Sequence, residues 1–118
     1  MPVRVVNTAN GAVVADRAAV AATSQQRREG LLKRNGLDPG EGLWIKPCEA
    51  VHCFFMKFTI DVVFLNKQGK VVKLTPSLRP WRIAGSLRAH SVLELPEGRI
   101  AACDIQPGHT LAFERLTA

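Results

Sequence analysis

Residues 40–64, GEGLWIKPCEAVHCFFMKFTIDVVF, form a dense apolar block enriched in aromatic and β-branched side chains, with few polar interruptions. Such residues fit a pleated, buried surface, so the block predicts strands packed into a core. His52 and Asp61 stand among strand formers, where an enclosed polar group requires a partner. The fold must therefore bury this block and satisfy those two side chains.

The 118 residues suit one compact domain over 1–118, long enough for a real core without disulfide staples. An apolar fraction of 47% and a charged fraction of 22% describe a globular chain and exclude a disordered or fibrous one. No apolar stretch approaches the roughly 20 residues of a membrane helix, and the N-terminus lacks the pattern of a secretory signal. Cys48, Cys53 and Cys103 make an odd count, which favours reduced thiols over a disulfide framework. A soluble, cytoplasmic protein is the expectation. The net charge of +6 permits anionic partners but also serves solubility.

Val3 to Val6 and Ala12 to Ala15 predict an opening β-hairpin, with Asn10-Gly11 suited to the turn. Residues 18–22 are ambiguous between helix and strand. Thr23 and Gln26 have capping-box spacing, and Asn35-Gly36 offers a C-terminal stop, so one short helix is predicted near residues 24–34. Six β-like runs follow: residues 43–46, 50–56, 61–65, 70–74, 91–95 and 110–116, with Gly- and Pro-containing turns between them. The fold class is mainly β, a compact antiparallel barrel or sandwich with that one helix.

Alternation along residues 50–56 gives two largely apolar faces, predicting a strand buried on both sides that partly encloses His52. His52 can be a satisfied core histidine, a ligand-orienting group or a general base. Asp61 and Glu94 lie in apolar strands and need partners; Arg27 and Arg28 are the candidates, as a structural ion-pair network. A metal site is not implied, because residues 52 and 53 point to opposite faces and no CxxC pair supports one. Cys48, after Pro47, is the thiol expected to be most exposed. In LRPWR, residues 78–82, Trp81 flanked by Arg79 and Arg82 either clamps the loop on the core or receives a ligand. The basic helix could lie on a phosphate backbone, yet no zinc finger, helix-turn-helix or RNP-like strand accompanies it. Phosphate-loop and nucleophile-elbow motifs are absent.

RxxGLL at Arg27 to Leu32, GEGLW at Gly40 to Trp44, FFMKFTIDVVF at Phe54 to Phe64, LRPWR at Leu78 to Arg82, VLELPEG at Val92 to Gly98 and IQPGHTL at Ile105 to Leu111 together resemble one family. It is the set of small prokaryotic proteins known as domain of unknown function 192, and the resemblance runs from about Ala22 to the C-terminus. The resemblance implies a compact β domain with a short helix, no established activity, and a shared pocket around Phe55, Met56, Lys57 and Asp61. It also implies an acidic residue after Gly108, where this chain has His109.

These readings lead to a pocket that binds a small polar or anionic ligand or a partner peptide, without a resident cofactor. Arg27, His52, Met56, Asp61 and Glu94 would form it, with Arg79 and Trp81 at the rim. The alternative is a small hydrolase or isomerase using His52 as base and Asp61 or Glu94 to orient it. Weak nucleic-acid association ranks third, and the oligomeric state is open.

Overall fold

The computed structural model describes residues 2–32, 34–52 and 56–116. The hairpin forms as expected from β1 (Val3–Asn7) and β2 (Val13–Ala21), and the ambiguous alanines join β2 as strand. They do so because residues 17–21 pair in parallel with β3 (Glu41–Ile45), whose ladder outweighs alanine's preference for helix. Next come β5 (Ile60–Leu65), β6 (Val71–Leu78), β8 (Ser91–Pro96) and β9 (Leu111–Arg115). With β1 to β3 they make a seven-stranded sheet in the order β6-β5-β8-β3-β2-β1-β9, antiparallel except at β2–β3. Two shorter strands, β4 (Ala50–His52) and β7 (Ile83–Gly85), pair as a separate ribbon.

The large sheet is a curled half-barrel. Trp44 on β3 stacks on Phe113 of β9, three places along the sheet, with ring centroids 3.9 Å apart. The edges β6 and β9 meet at one end through a Lys70–Thr110 bridge. Gly69 makes that meeting possible: its φ is +81°, and a Cβ there would lie 2.7 Å from the Leu111 carbonyl oxygen. His109 Nδ1, in the turn before β9, accepts from the Gln106 N–H at 3.2 Å and lies 3.1 Å from Asn7 Nδ2. The imidazole thus organises the turn where the family resemblance implies a carboxylate.

Each face of the sheet carries its own apolar cluster. Val63, Leu65, Leu93 and Leu95 face one side with Val5, Ile105 and Leu111. Ile45, Val62, Phe64 and Val92 face the other, with Leu31, Val51 and Met56 packed on them. This doubly covered sheet explains why β5 is buried at every residue.

The predicted helix starts where expected. In α1 (Ser24–Glu29), Thr23 Oγ1 accepts from the Gln26 N–H while Gln26 Oε1 accepts from the Thr23 N–H, each at 3.1 Å. It ends earlier than Asn35-Gly36, because Gly30 takes φ 47° and closes it. A single further turn, α2 (Arg99–Ala102), was not legible in the sequence. Thr23→Ala removes one side of the box, and urea unfolding should show a loss of about 1 kcal/mol.

Candidate functional site

A cleft of about 720 Å³ opens between the Ile45/Val62 face of the sheet, α1 and the β4–β7 ribbon. Glu94 lies on its floor. Residue 94 pairs with Leu43 on β3 and with Val62 on β5, so its side chain shares the face of those aliphatic neighbours. Glu94 is 3% exposed, and burial lifts its carboxyl to about 7. Among the described residues no cation or hydrogen-bond donor is paired with it to offset that burial.

The walls bring together Arg27, Arg28, Cys48, His52 and Met56. Arg27 and Arg28 come from the last turn of α1, whose early stop at Gly30 lets Leu31 drop into the apolar cluster below. Met56 is buried. Cys48 is half-buried, more open than the buried Cys103 as the sequence suggested, and its Sγ donates to the Ala50 carbonyl at 3.1 Å. Burial comes first, opposed by the Ala50 backbone and reinforced by the nearby Glu94 charge, and it leaves the thiol above its ordinary pKa. A resting thiolate is therefore disfavoured.

His52 is exposed, which corrects the expectation of a strand buried on both faces. Only Val51 of β4 faces the core, because β4 pairs with β7 in a separate ribbon and takes no place in the large sheet. Cys53, Phe54 and Phe55, which the apolar alternation assigned to the same strand, lie outside the described residues.

Asp61 does not line the cleft. Its register partner is Leu95, one residue beyond Glu94, so it points to the opposite face. There, 1% exposed, its carboxylate accepts from the backbone N–H groups of Ser77 at 3.0 Å, Gly98 at 3.1 Å and Ile100 at 2.9 Å. Two of those donors belong to the start of α2, whose N-cap glycine has no side chain to supply an acceptor. Asp61 is thus a remote capping group, and it also holds Ser77 at φ 52°.

The expected network of Arg27 and Arg28 with Asp61 and Glu94 is not what forms. Arg27 turns back to the Ala22 carbonyl and Ser24 Oγ on its own helix. Asp61 is served by amides. Arg34 pairs with Glu41 at 2.7 Å, which removes one cation from the basic surface the helix was expected to offer. Arg79 and Trp81 lie outside the cleft lining. Trp81 is 56% exposed with φ 68°, which corrects the reading of it as a clamp on the core.

The cleft thus collects Arg27, His52, Met56 and Glu94 of the pocket expected from sequence, and adds Arg28 and Cys48. The sequence signal for Arg28 was the basic last turn of the helix; Cys48 is carried in by the bend before β4. Among the described residues no group of three metal-ligating side chains converges.

The fold is similar to two crystal structures, each 22% identical to this chain over 95% of its length. One is a candidate transcription regulator from Sinorhizobium meliloti 1021, with a TM-score of 0.82 over 92% of that protein. The other is a protein of unknown function from Novosphingobium aromaticivorans, with a TM-score of 0.77 over 84% of that protein. By sequence, an uncharacterised UPF0127 protein of Pyrococcus furiosus is 41% identical over 57% of this chain, which spans 58% of that relative's length. A UPF0127 protein of Pyrococcus abyssi is 38% identical over 70% of the chain and 74% of its own length. Another, from Thermococcus sibiricus, is 30% identical over 92% of the chain and 73% of its own length. The family model for DUF192, described as "Uncharacterized ACR", matches residues 5–113, taking in the hairpin, the cleft and the closing turn, and the chain belongs to that family.

Proposed function

We propose that this β domain binds a small polar molecule in the cleft, with a donor group of the ligand on Glu94 and an anionic group against Arg28 and Arg27. The observation that carries this reading is Glu94 itself. A carboxyl 3% exposed and unpaired among the described residues, at the floor of a cleft of about 720 Å³, is costly for the empty protein. A ligand ammonium, amide or hydroxyl would supply the missing partner, and the apolar walls of Ile45, Leu31 and Met56 would supply contact area.

Free lysine, γ-aminobutyrate, acetate and inorganic phosphate are suitable probes, followed by amide chemical shifts of the labelled protein. Shifts confined to α1, β4 and the Glu94 region, weakened in Glu94→Gln and in Arg28→Ala, are the expected result. For an amine-bearing probe Glu94 must give up its proton. The ionised fraction rises about tenfold between about pH 6 and pH 8 for a group near 7, and affinity should rise with it. No cleft shift with any probe at millimolar concentration would sink the reading.

Acid–base catalysis of a hydrolysis or isomerisation retains one supporting feature, a carboxyl near neutrality on the same cleft as His52. It loses another, since Asp61 is committed to backbone amides on the other face and only Glu94 remains to orient the imidazole. Turnover of a probe that Glu94→Gln abolishes would replace binding with catalysis.

A further inference from the structure

The large hydrophobic side chains exposed among the described residues are Trp81 at 56%, Ile83 at 70% and Leu87 at 94%. All three fall within seven consecutive residues, a strap no longer than about 20 Å. The strap includes β7, which is hydrogen-bonded to the equally short β4 and holds no place in the large sheet. Its apolar side chains alternate with Arg82 and are flanked by Arg79 and Arg88, all three arginines exposed. Lys73 Nζ adds a fourth cation by donating to the Gly85 carbonyl at 2.7 Å. From residue 62 to residue 93 the chain has six Lys or Arg and no Asp or Glu. Glu49 is brought alongside in space, its carbonyl accepting from the Ser86 N–H at 2.8 Å.

From this strap we infer that the 79–88 segment docks the protein on an anionic lipid surface without crossing it. The charge is complementary to acidic headgroups, and the arginine stems can lie flat while their guanidiniums reach phosphate. An indole belongs at the headgroup boundary, and exposed Ile and Leu gain where acyl chains cover them. That last point separates a bilayer from a nucleic acid. A polyanion would use the arginines and stack on Trp81, but it has nothing to offer Ile83 and Leu87. Among the described residues no helix is long and apolar enough to span a membrane, so adsorption at the interface is the mode the strap suits.

The test uses the full chain with vesicles of equal parts phosphatidylglycerol and phosphatidylcholine, and with pure phosphatidylcholine vesicles. Co-sedimentation should be roughly tenfold stronger on the acidic vesicles and fall with added salt, with a blue shift of Trp81 emission. Leu87→Asp and Ile83→Asp alter exposed positions and leave both apolar clusters intact, so circular dichroism should match the parent while vesicle binding falls roughly tenfold or more. Equal binding by parent and Leu87→Asp, equal binding to neutral and acidic vesicles, or no binding to either would overturn the inference. Retention on heparin or single-stranded DNA with no vesicle binding would also overturn it and reassign the strap to a polyanion.

Discussion

Asp61→Ala is expected to destabilise the protein by about 4 kcal/mol, a loss as large as that of truncating a core leucine. The carboxylate has no part in the cleft, so the loss comes from three backbone donors deprived together of their acceptor. Ile100 is 8% exposed, and a donor buried without an acceptor costs about 1–3 kcal/mol. Ser77 and Gly98 are more open and recover part of their loss through water. Asp61→Asn should rescue only partly, because one amide oxygen remains while the NH₂ faces an N–H that needs an acceptor. Urea unfolding near pH 7 measures the total, and hydrogen exchange at Ile100 and Ser77 measures where it falls. A loss below about 1 kcal/mol, or unchanged protection at those amides, would show that the capping bonds contribute little.

Glu94→Gln should act in the opposite direction and only at higher pH. The carboxyl titrates at an ordinary 4.5 when unfolded and at about 7 when folded. Between those values the folded protein holds a proton that the unfolded chain has released, so stability falls as pH rises from about 4.5 to about 7. A separation of this size corresponds to about 3 kcal/mol, fully lost above the folded value. Glutamine has nearly the same volume and no charge to desolvate. The variant should match the parent near pH 4 and exceed it by about 3 kcal/mol near pH 8, as read by urea unfolding at both pH values. Parallel pH dependences for parent and variant would mean that Glu94 is not buried in its charged form. Gained stability with lost probe binding is the combination expected of a residue kept for function at the cost of folding.

The contrast between these two carboxylates shows where the sequence was legible. Both were recognisable as acidic residues inside apolar strands, and both were rightly expected to be drawn inward. Which partner each would find depends on the β5–β8 register, Val62 opposite Glu94 and Asp61 opposite Leu95. A strand's side chains alternate, so that one-residue offset sends the two acids to opposite faces. Nothing local in VLELP or TIDVVF encodes the offset. The capping box at Thr23 is the reverse case: its two hydrogen bonds connect residues three apart, and the spacing alone announced them.

By itself the sequence determined the mainly β class, the N-terminal hairpin, the start of the helix, most of the strands and the family, because these follow from alternation, turn chemistry and short-range capping. The tertiary structure decided that β2 runs on through its alanines, that the sheet curls until Trp44 meets Phe113, and that His52 is left exposed on a ribbon. It also decided that Glu94 keeps the cleft while Asp61 becomes a helix cap. Those outcomes rest on which distant strands pair and in what register, and pairing energy is shared between residues far apart in the chain.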